Sequence, residues 1–150
     1  MRNGPALVLV GGFLGAGKTT LLLHAANRLA AVGARVGIIT NDQAPDLVDT
    51  HYAQASGLAA EEISGGCFCC RFSEFARSAG RLLEQGMDVI FAEPVGSCMD
   101  ISSTILQPVK KYYGDRFRLA PYTVLVDPDR ARPNGWRWFS TGLQSPGSAC

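Results

Sequence analysis

Ala6-Leu-Val-Leu-Val10-Gly-Gly12-Phe-Leu-Gly-Ala-Gly17-Lys18-Thr19-Thr20 decides the fold. The apolar run Ala6–Val10 does not alternate with polar residues, so it reads as a strand buried on both faces. Glycines end it. From Gly17 to Val32 apolar residues recur at helical spacing, and Gly33 supplies a stop. Arg35-Val-Gly-Ile-Ile-Thr40 is a second buried strand. Strand, helix and strand in so short a span make a βαβ unit, which needs a parallel sheet.

Outward from this unit the pattern continues, with one interruption. Residues 41–71 are broken by Pro, Gly, Asp and Ser, and only Leu58–Ile63 has the character of a helix end or short strand. A connection this long is usually functional or mobile. A helix is expected from Phe72 or Ser73 to Gln85, stopped at Gly86. Asp88-Val-Ile-Phe-Ala-Glu93 is a third strand, closed by Pro94. A helix from Ser97 to Tyr113 should bend or break at Pro108. Pro121-Tyr-Thr-Val-Leu-Val126 is a fourth strand. Beyond Asp127, prolines, glycines, arginines and both tryptophans follow without any period. The expectation is an α/β fold, a mostly parallel sheet with flanking helices, over residues 1–128 and incomplete at its C-terminal side. Residues 129–150 read as an irregular, disordered tail.

Composition narrows the function. The chain has 150 residues, 14 Lys+Arg against 13 Asp+Glu, a net charge of +1, 47% hydrophobic and 18% charged residues. That apolar share is too high, and the net charge too low, for a disordered chain. There is no basic excess to neutralise nucleic-acid phosphates. The apolar opening contains Gly11 and Gly12 and is too short to span a membrane. A lysine-bearing glycine loop follows it where a signal peptide would have a small-residue cleavage site. Five cysteines, three of them crowded together, suit a metal or redox site in a reducing compartment better than a disulfide frame. A cytoplasmic protein with no membrane or nucleic-acid partner is expected.

Gly12-Phe-Leu-Gly-Ala-Gly17-Lys18-Thr19 fits G-x-x-x-x-G-K-[ST] between a buried strand and a helix. Glycines let successive N–H groups turn toward phosphate oxygens, and the helix N-terminus adds its positive field. The candidate nucleotide residues are Gly12, Gly15, Ala16, Gly17, Lys18, Thr19, Thr20 and Gly96. Lys18 reaches the β and γ phosphates, Thr19 offers a hydroxyl to Mg²⁺, and Thr20 faces the α phosphate. Such a loop needs a carboxylate at the end of a neighbouring strand. Glu93 closes the third strand and Asp42 follows the second; Asp46 and Asp49 are weaker candidates. Gly96 allows a backbone N–H to approach the γ phosphate. A bare glycine turn with a solvated lysine is the rival reading, but it needs neither Lys18 nor Thr19.

Gly65-Gly66-Cys67-Phe68-Cys69-Cys70 is the second signal. In extended chain the thiols of Cys67 and Cys69 point the same way, and Cys70 joins them if the chain turns. Thiolates select Zn²⁺, Cu⁺ and similar ions, and three of them leave a fourth position open for transfer. A buried structural cluster or a redox pair is the rival. Cys98 reads as a packing residue. His24 reads as structural, His51 is a weaker candidate for a fourth ligand, and Cys150 has no reading.

Taken in order, the loop Gly12–Thr20, Cys67-Phe-Cys69-Cys70 and Glu93-Pro-Val-Gly96 resemble the metal-trafficking P-loop GTPases, above all their CobW-like branch. The resemblance covers about residues 6–128. It implies a SIMIBI-class domain, Mg²⁺-dependent GTPase activity and a zinc- or cobalt-type metallochaperone role toward a client metalloprotein. It also implies that Thr19 and Glu93 serve Mg²⁺, that Lys18, Glu93 and Asp42 serve hydrolysis, and that Cys67, Cys69 and Cys70 hold the transition metal. Asn41-Asp42-Gln43 falls where the family has an Asn-Glu or Asn-Asp pair. A homodimer is compatible with the family's habits. The family's N-K-x-D segment, which reads guanine, does not occur in this chain. Two other readings compete: an ATP-dependent small-molecule kinase, which gives the cysteines no purpose, and a truncated remnant that binds phosphate and metal without turnover.

Overall fold

The computed structural model describes residues 4–41, 58–98 and 100–128. Strand β1 (Ala6–Gly12) leads into helix α1 (Lys18–Ala31) and strand β2 (Val36–Asn41). Strand β3 (Ala59–Ile63), helix α2 (Phe72–Glu84) and strand β4 (Val89–Glu93) follow. A π turn (Ser102–Leu106) runs into helix α3 (Gln107–Tyr113), then short strands β5 (Arg118–Leu119) and β6 (Thr123–Leu125). All the pairings are parallel, in the order β3-β2-β4-β1, with β5 and β6 both on the far side of β1. Among the described residues no helix is long and apolar enough to cross a membrane.

The continuous apolar runs do what two-sided burial requires. Leu7, Leu9, Ile39, Ile63, Ile90 and Ala92 face one side of the sheet, packed with Phe75, Ala79 and Leu82 of α2 and with Ile101, Ile105 and Val109. Val10, Val36, Ile38 and Phe91 face the other side, against Leu22 and Ala26 of α1. The period-two alternation of the strands thus feeds two cores, one per face. Helix α1 ends with the Gly33 N–H on the Ala30 carbonyl and the Ala34 N–H on the Leu29 carbonyl, and α2 closes the same way at Gly86 and Met87.

One open alternative closes and three expectations change. Leu58–Ile63 resolves as a strand, because Ala59–Ile63 pairs residue for residue with Gly37–Asn41. The fourth strand shrinks to Thr123–Leu125, and an unforeseen short strand, Arg118–Leu119, pairs separately with the same flank of β1. Pro121 lies between the two, where it has no N–H to give the ladder. The helix expected from Ser97 starts only after Asp100, whose carboxylate accepts from the Ser103 N–H at 3.1 Å and so caps it. Finally, Pro108 does not break that helix. Proline cannot donate to the Thr104 carbonyl, and the preceding turn widens so that the Gln107 N–H reaches the Ser102 carbonyl. Asp42, Asp46, Asp49, His51, Cys150 and the tail 129–150 lie outside the described residues.

Candidate functional site

The glycine loop leaves β1 at Gly12 and enters α1 at Lys18. Gly17 holds φ +84° directly before the helix, and a Cβ there would meet nothing within 4 Å. Conformation, not space, selects glycine at this point. The turn places Lys18 almost fully buried, 6% exposed, with Nζ donating to the Phe13 carbonyl at 3.0 Å. An ammonium is rarely so buried unless paired. Its partner is Glu93, whose Oε1 lies 3.8 Å from Nζ. The Thr19 hydroxyl meets the same carboxylate, 2.9 Å from Oε2 and 3.1 Å from Oε1.

Glu93 ends β4, the neighbour of β1 in the sheet, so the register itself delivers the carboxylate to the loop. Three residues on, Gly96 packs against the loop backbone. A Cβ at Gly96 would stand 2.8 Å from the Leu14 nitrogen and 3.0 Å from the Gly12 oxygen. The loop, Thr19, Glu93 and Gly96 therefore form one constellation, as their sequence spacing suggests. Hydroxyl and carboxylate oxygens are the donors Mg²⁺ takes, and Lys18 supplies the fixed positive charge a polyphosphate needs. The donor set fits a magnesium nucleotide.

The cysteines sit on a turn, not on extended chain. The Arg71 N–H bonds to the Cys67 carbonyl at 3.0 Å, so Cys67–Arg71 make one helical turn that runs into α2. That curvature brings the Cys67 sulfur 2.6 Å from Cys69 and 3.3 Å from Cys70, and all three sulfurs lie within 4.8 Å of one another. Cys67 is buried, Cys69 half-buried and Cys70 exposed. Phe68 anchors the turn: it is fully buried, with its ring centroid 4.9 Å from that of Phe75.

Two residues, named in the sequence reading, make contacts at this site that it did not foresee. The Asn41 side chain, at the end of β2, donates to the carbonyls of Ile63 at 2.9 Å and Gly66 at 2.6 Å and accepts from the Phe68 N–H at 3.1 Å. One amide thus fastens both ends of the glycine turn that precedes the cysteines. Cys98 packs against the core as expected, but its sulfur also lies 3.9 Å from that of Cys69. Burial, followed by the Cys67 and Cys69 sulfurs, pushes the Cys98 thiol well above its ordinary range. In sequence Asn41 is marked by its place in Asn41-Asp42-Gln43 after the second strand, which says nothing of its hold on the cysteine turn. Cys98 carries no local signal, because its neighbours are 29 positions away.

A profile of the family described as "CobW/HypB/UreG, nucleotide-binding domain" matches residues 6–142. The chain belongs to the CobW/HypB/UreG family. Its match runs past residue 128 into the stretch read as a tail. The CobW-like branch is where curated relatives of this family member fall. It is 37% identical over 68 residues to the zinc chaperone YjiA of Escherichia coli (strain K12), covering 45% of this chain and 21% of that protein. It is 35% identical over 88 residues to the zinc chaperone CobW of a Sinorhizobium species, covering 54% of this chain and 24% of that protein. These matches span about a quarter or less of the relatives' own length. Among solved structures, the signal recognition particle receptor FtsY of Elizabethkingia anophelis shares the fold, with a TM-score of 0.61, 20% identity, and coverage of 93% of this chain and 46% of that one. FtsY of Thermotoga maritima does too, with a TM-score of 0.60, 19% identity, and coverage of 95% and 50%.

Proposed function

We propose that this CobW-family chain binds GTP with Mg²⁺, hydrolyses it, and couples that cycle to holding and delivering a transition metal, Zn²⁺ or Co²⁺, to a client metalloprotein. One observation carries the reading: the segment Glu93–Cys98 touches both sites. Glu93 meets Thr19 and Lys18, Gly96 lies on the loop backbone, and Cys98 stands beside Cys69. A change in the loop on nucleotide binding meets Glu93, and from there the chain runs only a few residues to Cys98, beside Cys69.

In this reading Lys18 neutralises phosphate charge and gives up its bond to the Phe13 carbonyl to do so. Thr19 and Glu93 hold Mg²⁺, which would shield the developing phosphate charge. Asp42 is proposed to assist hydrolysis. Cys67, Cys69 and Cys70 bind the metal cargo as thiolates, consistent with the zinc-chaperone names of the relatives. The kinase alternative leaves the converged thiols without a use.

The test pairs two variants. Lys18→Ala should abolish binding of a labelled Mg²⁺-nucleotide and leave Co²⁺ binding intact. The triple Cys67/Cys69/Cys70→Ser protein should do the reverse. A triple variant that binds Co²⁺ with wild-type stoichiometry and spectrum would overturn the metal role.

A further inference from the structure

Three thiols adjacent in sequence are an obvious group; the fourth comes from across the sheet. Cys98 lies two residues beyond Gly96, where its N–H bonds to the Val95 carbonyl at 3.0 Å. That turn lets the chain leave the glycine loop and bring the Cys98 sulfur 3.9 Å from Cys69. Four sulfurs at about 2.3 Å around one Zn²⁺ stand about 3.8 Å apart, by the geometry of a tetrahedron. The Cys69–Cys98 separation is therefore already that of two ligands of one ion. Packing alone does not ask for this. A thiol serving as a small core residue has no need to lie against another thiol, and hydrocarbon neighbours are available around it.

We propose that Cys98 is a sulfur ligand of the same ion as Cys67, Cys69 and Cys70. This rests on the metal role proposed for those three and fills the position they leave. Cys98 reaches the ion from the segment that carries Glu93 and Gly96. Movement of the phosphate loop would therefore pull on one metal–sulfur bond directly.

The experiment counts sulfurs. Reduced full-length protein is loaded with one equivalent of Zn²⁺, and X-ray absorption measures its ligands; Co²⁺ substitution measures the sulfur-to-metal charge-transfer band. Wild type should show four sulfurs, and Cys98→Ser three with one lighter ligand. The charge-transfer band should weaken, and metal affinity should fall by about tenfold or more. Cys98→Ala, with the far-ultraviolet circular dichroism of each protein, serves where Cys98→Ser alters folding. The wild-type count needs no variant, and a count of three there overturns the proposal. A count that does not drop in Cys98→Ser also overturns it. The triple Ser variant separates the two readings. If it loses the ion while Cys98→Ser keeps every sulfur, only the Cys98 ligand falls. If it keeps the ion, the cysteine site falls as well.

Discussion

Asn41 shows how much one side chain can organise. Its amide holds the Ile63 and Gly66 carbonyls and the Phe68 N–H, three backbone groups flanking the glycine turn. Asn41→Ala should leave these partly buried groups short of partners, at about 1–3 kcal/mol. Urea denaturation measures that loss. Co²⁺ titration should show weaker binding in the same variant, although no metal-binding atom has changed; equal affinity would mean the cysteine turn holds its shape alone. The same scale explains what sequence could and could not tell. Lys18, Thr19 and the glycines are legible because their chemistry is local and their spacing fixed. Glu93 is legible because a strand end beside the loop needs a carboxylate. The contacts of Asn41 with Gly66, and of Cys98 with Cys69, are tertiary, and nothing near either residue in the chain announces them.

Among the elements, the segment after β4 is the sensitive one. Gly96→Ala would force a methyl against the Leu14 nitrogen and Gly12 oxygen. Nucleotide affinity should drop by at least about tenfold, or roughly 1.4 kcal/mol, by calorimetry; unchanged affinity would show that the loop yields freely. The helix that follows begins at Asp100, whose carboxyl is held below its ordinary value by the Ser103 hydroxyl and then by the Ser103 N–H. A lowered value means the cap stabilises the folded form above about pH 4 and is lost as pH falls through the lower folded value. Amide exchange at Ser103 should therefore speed up in acid relative to its intrinsic rate. Asp100→Asn, which keeps an accepting oxygen, should remove that dependence. The widened turn at Ser102–Leu106 was not legible beforehand, yet its logic is simple. Steps of four residues overshoot an α turn and undershoot a π turn. Ile101, Ile105 and Val109 therefore stay on one line against the sheet and are all buried.

At the scale of the molecule, the parallel sheet followed from three apolar runs and one glycine loop. Its full order did not, because β3 and β5 are short and their sequences carry little of the apolar pattern. In the proposed reading, contacts of the glycine loop with phosphate supply most of the nucleotide affinity of this chain. GTP over ATP should differ by less than about tenfold in calorimetry; a larger preference would reveal another guanine-reading segment. Mg²⁺-GTP should change Co²⁺ affinity, and Co²⁺ should change GTP affinity by the same factor. Lys18→Ala should erase both effects.

The burial of the three neighbouring thiols falls from Cys67 through Cys69 to Cys70. For an ion bound among them this gradient sets an order of departure. A competing ligand arriving from solvent meets the bond to Cys70 first and those to Cys67 and Cys69 later, so exchange should be associative and stepwise. Release to a small thiol chelator should then accelerate with chelator concentration, and a chelator too bulky to pass Cys70 should stall with the ion shared between donor and acceptor. Handover would run through a mixed complex, with no bare ion passing through water.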